Sequence, residues 1–564
     1  SGNGNNWTPN NISVTAGVTY DSMQDVPTLT SATAANYATL NPLAVGSSGT
    51  LSDASLKIAG LNSANVGASY STIGMTTGKW YFEITAVGVG SNFTYALVED
   101  VVDTSALNVS GSIFAGYRST GDTYGTVSIT TTTWNTANVV IGVAVDCDNG
   151  AVYFANANTW INSGVPTSGA SRTGAITTYT GGTKTLHGGV GCFQDSTQSA
   201  AINFGQRPFS YTAPTGFVAL NTYNLPVSTI TNGAAYMAAK LYTGNTPSTN
   251  AITGLGFAPD LVWVKSRTVA DAHNLVNSVA GNNLRLRSNT TDDEISATFT
   301  LNSDGFTVGA NSESNTGSMV GWAWKAGGTA ASNTNGSITS TVSAGATQGF
   351  SVVTYSANGS TGTVGHGLGV APSMIIVKKR NAAERWCVFH TSTSNAYIYL
   401  NETNAAETAN ANLRFGNNSA VVQPTSTVFT IGNSNDVNGT SGTYVAYCFS
   451  AVAGYSAFGS YAGNNVADGS FVYLGFRPRF IMIKSTSAST EWVMIDTARS
   501  SYNLSETALY ANRAYSESTI GTVDDVDILS NGFKLRNNTG FVNASQTYIY
   551  AAFAENPFKN ALAR

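Results

Sequence analysis

The chain has 564 residues, enough for about three to five domains and several cores, yet only 10% of them are charged, against roughly 25% in ordinary soluble proteins. A net charge of −5 leaves no basic stripe, which argues against nucleic-acid binding, and no apolar run approaches the roughly 20 residues of a membrane span. With Ser, Thr, Asn and Gly supplying the polarity and aromatics at 10%, the composition suits secreted or fibrous β proteins better than cytosolic enzymes.

Residues 1–26, opening Ser1-Gly2-Asn3-Gly4-Asn5-Asn6-Trp7, are rich in Asn, Gly and Ser. They read as an extended arm that packs on a neighbour, with a plain linker as the alternative. Because position 1 is Ser and not Met, a processed or truncated piece is expected, and no signal peptide opens it. From 27 to 226 the pattern is alternating β with turns. Lys79 to Ile84, Ile141 to Asp146, Ala151 to Phe154 and Ala201 to Phe204 are the strand candidates. Asp146-Cys147-Asp148-Asn149-Gly150 offers alternating carboxylates to a calcium ion, but it lacks the closing bidentate Glu. Asn-Gly between two apolar strands reads instead as a hairpin turn. Tyr117, Arg118, Tyr124 and Trp160 are the candidate ligand-binding residues. Exposed in Gly-rich surroundings, they would make a platform for sugar rings or a protein epitope; buried, they would be core. Trp134 reads as core.

After Leu225-Pro226 one pattern occurs three times. It is Leu-Gly-x-x-Pro, one residue, four apolar residues and a lysine: Leu255 to Lys265, Leu368 to Lys378 and Leu474 to Lys484. A tyrosine stands 17 residues before each proline, as Tyr242, Tyr355 and Tyr461. The apolar run is too short for a helix and reads as a strand buried on both faces. Each repeat closes on a second such strand, ending at Trp324, Phe449 or Phe553. The repeats run 227–336, 337–452 and 453–564, with Gly327 to Ser337 as a domain linker between the first two, so three whole small β domains in tandem are expected. The fold class expected overall is all-β: an antiparallel β-sandwich followed by three β-sandwich-type repeat domains.

Little in the chain spells catalysis. Aligned on the repeat, Cys387 falls at Val493, and Cys448 at Ala323 and Ala552, so the cysteines read as core thiols. His390 falls at Asn277 and Asp496, His366 at Thr253 and Val472, and His273 at Trp386 and Trp492. No histidine stands beside a nucleophile signature or a metal-ligand spacing, and His187 reads as a strand cap. Three acidic clusters, Glu99-Asp100-Asp103, Asp292-Asp293-Glu294 and Asp524-Asp525-Asp527, lie in polar connecting stretches. They read as solvated loops and not as a glycosidase pair. No catalytic residue, metal or cofactor is expected. The recurring lysines Lys265, Lys378 and Lys484 are expected to lay their stems on apolar neighbours and hold the ammonium at the rim, over the tyrosine 23 residues earlier.

Two resemblances add to this. Gly78-Lys79-Trp80-Tyr81-Phe82-Glu83, then Gly142 to Asp146 with Asn149 to Phe154, then Asn203-Phe204-Gly205-Gln206-Arg207-Pro208-Phe209 with Pro214 to Phe217, resemble the SPRY family of concanavalin-like sandwiches. That implies two antiparallel sheets with loops at one end and a binding role. Gly365 to Pro372, Ile375 to Lys378, the ending Ala554-Glu555-Asn556-Pro557-Phe558 and the Ser-Gly-Asn-Gly opening are similar to tailed-bacteriophage virion proteins, notably of phages of marine bacteria. This resemblance implies a tail fibre or spike-type appendage on the virion surface, binding a host surface glycan or protein. It further implies a homotrimer attached to other virion proteins through its N-terminal side, without nucleic acid or membrane insertion. The alternatives are a purely architectural decoration or filament subunit and, as a minor one, a glycan-cleaving spike.

Overall fold

A computed structural model describes residues 31–46, 49–60, 66–89, 94–99, 114–193, 197–393, 395–517, 525–538 and 541–560. The expected arm at 1–26 lies outside them. The described chain is nearly all β, its pairings almost entirely antiparallel. It divides between Val227 and Ser228 into two compact units.

The first unit is a two-sheet sandwich. One sheet runs Leu40–Val45, Val66–Ser71, His187–Phe193, Thr94–Glu99, Ala115–Arg118, Thr123–Tyr124. The main path of the other runs Thr159–Trp160, Ala151–Asn156, Val140–Asp146, Lys79–Gly88, Ser199–Asn203, Lys57–Gly60, Gly49–Ser52. Alternation along Lys79–Gly88 sends Phe82 inward, where its ring meets Phe204 at 5.4 Å and lies against Gly188 of the facing sheet. A Cβ on Gly188 would stand 2.5 Å from that ring, so the sheets approach closely only because this residue has no side chain. On the other face Tyr81, Tyr153 and Phe217 form a second apolar layer. Buried Glu83 clamps the chain there by accepting from the backbone N–H of Ser210 and Tyr211 at 2.7 and 2.9 Å. Asp146 to Gly150 forms the hairpin turn, with Asn149 N donating to Asp146 Oδ1 at 3.0 Å and Asp148 accepting from Gly78 N at 2.6 Å.

The second unit uses one layout three times. Each sheet orders its strands first, closing, lysine-bearing, fourth. The first repeat has Met237–Thr243, Ser318–Trp324, Leu261–Ser266 and Asn274–Asn277. The second has Phe350–Ser356, Thr443–Phe449, Met374–Lys379 and Cys387–His390, and the third Ser456–Ala462, Thr547–Pro557, Phe476–Ser485 and Val493–Asp496. The pairing register is the same each time: Lys265 lies opposite Val320, Lys378 opposite Val445 and Lys484 opposite Ile549. The motif glycines Gly256, Gly369 and Gly475 have φ of 80°, 75° and 74°, which explains Leu-Gly at the entry to each lysine strand.

The repeats are not separate globules. Val262 and Val264 point into a core private to the first repeat, with Ile252, Phe306 and Val308, and Ile375 and Val377 into its counterpart with Val364, Phe429 and Ile431. The alternate residues Leu261, Trp263, Met374, Ile376, Phe480 and Met482 all enter one core shared by the three repeats. Four consecutive apolar residues are thus buried on both faces because the second face meets the sister repeats. The cavity left where the three meet, about 20 Å³, has an apolar lining and holds no more than a water. The expected linker is also structured: Ala331–Asn333 pairs with Ser340–Gly345, which pairs with Phe350–Ser356.

Polar contacts then close the three repeats into a ring. Trp386 Nε1 donates to Arg287 O at 2.9 Å, Trp492 Nε1 to Tyr399 O at 2.9 Å, and at the equivalent place His273 Nε2 lies 2.9 Å from Tyr510 O. Each joins a repeat to the one before it, the first to the third, so a head-to-tail interface closes. The lysines follow the same logic and correct the expectation for them. All three are fully buried. Lys378 Nζ donates to Thr291 O at 3.1 Å and Lys379 O at 2.8 Å, Lys484 Nζ to Thr403 O and Ser485 O at 3.0 Å, and Lys265 Nζ to Ser266 O and Val269 O at 2.7 and 3.1 Å. Lysine shares a face with the shared-core residues two and four positions earlier, so its stem runs into the inter-repeat seam and not to the rim. The tyrosine hydroxyls go elsewhere: Tyr242 to Ser314 O, Tyr355 to Val437 O and Tyr461 to Val542 O at 2.6, 2.6 and 2.7 Å. Three residues after each tyrosine, Asn245, Asn358 and Asn464 exchange hydrogen bonds with buried Asn315, Asn438 and Asn543.

Two outcomes are expected. Replacing buried Asn438 by Ala removes its hydrogen bonds to Asn358 Oδ1 and the Ser360 carbonyl, and because both acceptors sit on exposed residues that water can reach each loss should cost roughly 0.5–1.5 kcal/mol. A drop of about 1–3 kcal/mol in the unfolding free energy should therefore appear in urea titrations, as a lowered midpoint. Expressed alone, residues 337–452 should fail to show a cooperative transition, whereas 228–564 should unfold in one step.

Candidate functional site

In the second unit the groups that could do chemistry are engaged in the scaffold. His273 accepts from Trp263 Nε1 at Nδ1, 2.8 Å away, and so presents its Nε2 proton to the third repeat. His390 Nε2 lies 3.2 Å from Tyr550 O, while the equivalent Asn277 donates to Tyr447 Oη and Asp496 accepts from Trp322 Nε1. These three unlike residues perform one task, bridging to the next repeat. Burial holds the His390 and His187 rings down at about 4 and His273 at about 3, well below 6.5. His187 opens its strand with Nδ1 at 2.9 Å from Ser71 O. Burial also lowers the three lysines to about 8.

The acidic clusters are divided similarly. Glu294 pairs with Arg380 of the next repeat at 2.7 Å and Asp292 with Arg287 at 3.2 Å. Asp527 pairs with Arg536 at 2.5 Å, while Asp524, Asp100 and Asp103 lie outside the described residues. All four cysteines are buried free thiols. Among the described residues no group of three His, Cys, Asp or Glu side chains is placed to hold a metal.

The four expected ligand-binding residues do not share one platform. Tyr117 is fully buried, its ring 6.0 Å from Trp134 and 6.1 Å from Phe154, and its hydroxyl donates to Thr132 O. It belongs to the sandwich interior with Trp134, which corrects its place in the platform. Trp160 lies half-buried on the outer face of the other sheet, edge-on to Tyr153 at 6.5 Å. Arg118 and Tyr124 do meet: the guanidinium stands 5.1 Å over the Tyr124 ring and 3.6 Å from Asp122.

Their setting follows from the hairpin. Tyr124 lies opposite Gly116, so it sits between Phe114 and Arg118 on the face that Tyr117 leaves. Gly116 presents no side chain there. Phe114 carries Lys184 Nζ 5.1 Å over its ring and meets Tyr179 edge-on at 5.5 Å. Arg172 Nη1 donates to Tyr179 O at 3.2 Å. All six side chains are half-buried. The result is a strip of rings and cations on the last hairpin of the six-stranded sheet. Sequence reading found Arg118 and Tyr124 but missed Phe114 and Lys184. Phe114 is legible as the period-2 partner of Arg118, whereas Lys184 arrives from 70 residues away and leaves no local signal.

A second cluster distinguishes the middle repeat. Arg414 stands 4.2 Å over Tyr397 and Arg385 4.6 Å over Tyr399. Both are paired with carboxylates, Arg414 with Asp436 at 2.8 Å and Arg385 with Glu402 at 3.4 Å. This balanced cluster occupies the position that Arg285 and Arg287 hold in the first repeat.

The family described as "Domain of unknown function (DUF7483)" matches residues 232–557. Among solved structures, the SPRY domain of human HERC1 is similar at 13% identity, over 29% of this chain and 96% of that one, with a TM-score of 0.22. The PSpry domain of TRIM65 follows at 11% identity, over 30% and 90%, with a TM-score of 0.21. Stonustoxin follows at 16% identity, over 29% of this chain and 27% of its own, with a TM-score of 0.21. No curated protein matches the sequence.

A pH dependence follows from the histidines. Their folded values lie below the unfolded 6.5, so as the pH falls the unfolded chain takes up protons first. The histidines' contribution to stability is complete above pH 6.5 and should fall steadily towards pH 4. His390→Asn, which installs the residue of the first repeat, should make that decline shallower in urea titrations run from pH 7 to 4.5; an unchanged slope would show that His390 takes no part.

Proposed function

For a chain that belongs to the family described as "Domain of unknown function (DUF7483)", we propose a non-catalytic, surface-presenting role: an appendage on a bacteriophage virion that binds the host cell surface. The observation that carries this reading is the use made of reactive groups. In the repeat unit, histidines, buried lysines and buried carboxylates are engaged by backbone or by ion pairs, many of them across the seams between repeats. A protein that works by catalysis keeps such groups facing a substrate; one that works by holding a surface still puts them into the scaffold. The ring and cation strip of the first unit supplies a surface to hold. The resemblance of the repeats to tailed-phage virion proteins supports the virion setting, and sparse charge supports life outside the cell.

A purely architectural role is the second reading, and the sealed inter-repeat contacts favour it. Gold-labelled antibody raised against the chain should decorate phage particles, and the purified chain should bind intact bacterial cells. Particle labelling without cell binding would move the role to architecture. Loss of polysaccharide viscosity on incubation with the pure chain would overturn the non-catalytic reading.

A further inference from the structure

We propose that Asn335 is a self-modification site, at which the chain converts its own asparagine, through a succinimide with Gly336, into aspartate and isoaspartate. The proposal does not depend on the surface-binding reading. Asn-Gly is the dipeptide that allows it, because a glycine has no side chain to hinder the approach of its nitrogen to the preceding amide carbon, and asparagine is a thermolabile residue. The sequence holds seven such pairs, at Asn3, Asn149, Asn232, Asn335, Asn358, Asn438 and Asn531. The first lies outside the described residues. Hydrogen bonds separate the other six. Asn149 Nδ2 donates to Asp146 Oδ2 at 2.8 Å, and Gly150 N to Asp146 O at 2.9 Å. Asn232 Oδ1 accepts from Ala234 N at 3.1 Å. Asn358 Oδ1 accepts from Ser360 N and from Asn438 Nδ2, both at 3.0 Å, and Gly439 N donates to Tyr444 Oη at 3.0 Å. Asn531 is buried, and Gly532 lies opposite Tyr473 in its strand. Among these six, Asn335 alone is exposed with no hydrogen bond to its side chain, and Gly336 N has no acceptor.

The pair sits between two anchors. Asn335 N donates to Asn333 Oδ1 at 2.9 Å, while Ser337 N donates to Thr363 Oγ1 and Ile338 N to Thr363 O, both at 2.9 Å. A Cβ on Gly336 would stand 2.3 Å from Thr363 O, so the fold itself demands the glycine. In the reaction Gly336 N gives its proton to water or hydroxide and bonds to Asn335 Cγ; the Cγ–Nδ2 bond breaks, and Nδ2 leaves as ammonia with a proton from solvent. Water then opens the ring. Opening at Cγ restores the backbone and leaves aspartate, whereas opening at the Asn335 carbonyl carbon leaves Gly336 N on Cγ, an isoaspartate with one more carbon in the backbone. Nothing is oxidised or reduced. Either product brings a carboxylate into a stretch where no Asp, Glu, Lys or Arg stands between Lys325 and Lys378. It arrives beside Ala331–Asn333, the edge strand of the seven-stranded sheet. Charge on an exposed edge discourages pairing with another chain, so the modified edge gains a guard that its sequence lacks.

The full chain should be kept in mildly alkaline buffer, either folded or unfolded in guanidinium, then digested and its peptides weighed, with an isoaspartate-specific methyltransferase reporting the second product. In the folded chain the peptide holding Asn335 should gain about 1 Da ahead of those holding Asn149, Asn232, Asn358, Asn438 and Asn531. The rate should rise roughly tenfold per pH unit, because the attacking nitrogen reacts without its proton. In guanidinium the lead should vanish. N335Q should lose the isoaspartate signal at that peptide with an unchanged melting temperature. Gains at Asn149 or Asn438 as fast as at Asn335 in the folded chain overturn the proposal. So does a lead of the same size in guanidinium, an unmodified Asn335 over a time in which the unfolded chain is modified, or a parental signal in N335Q.

Discussion

The lysine strand of each repeat is buried on both faces, and the architecture of the second unit depends on that. In the first two repeats one face closes a small private core and the other has no partner within its own repeat, while in the third both faces, with Ile481 and Ile483 on one and Phe480 and Met482 on the other, join the shared core. A strand left so would expose Leu261 and Trp263, or Met374 and Ile376, or Phe480 and Met482. At about 1.5–3 kcal/mol for each large apolar side chain, that exposure would cost each repeat an amount comparable with the roughly 5–15 kcal/mol by which a domain is stable. The repeats therefore have to find one another. Once they do, the polar groups trapped at the seams must be satisfied in place, which is the work of the buried lysines and of Trp386, Trp492 and His273.

Much of this was legible in the sequence. The spacing of tyrosine, Leu-Gly, proline and lysine marks a structural unit used three times, and the equivalence of His390 with Asn277 and Asp496 holds in the pairing register. The sharing of a core was not legible, because four apolar residues look the same whether their second face meets their own sandwich or a neighbour. The lysine misled for the same reason: its stem was expected to reach the rim, but the rim is occupied by the adjoining repeat. Ala331–Asn333 misled in another way. Backbone pairing asks nothing of side chains, so a Gly, Ser, Thr and Asn-rich stretch can be a strand. The buried asparagines had a signal, the Asn three residues after each repeat tyrosine, that only the hydrogen bonds make meaningful.

The candidate site was half legible. Tyr117 and Arg118 are neighbours in a strand and so face opposite sides; one joins Trp134 in the interior and the other joins Tyr124 outside. Composition groups such residues and alternation separates them. Trp160 belongs to the other sheet altogether. Lys184 and Arg172 come to the strip from the segment that packs beside the hairpin, where Thr177 Oγ1 donates to Phe114 O at 3.1 Å, a proximity no local pattern encodes.

The covalent closure of three repeats in one chain has an evolutionary consequence. In a ring assembled from identical subunits, every substitution appears three times at once, and a change tolerable at one seam must be tolerable at all. Here each seam is encoded separately, so His, Asn and Asp can occupy one equivalent position and Trp, Trp and His another. Mutation can test one face while two others hold the fold. The arginine clusters of the first and middle repeats, already unlike each other, record that freedom.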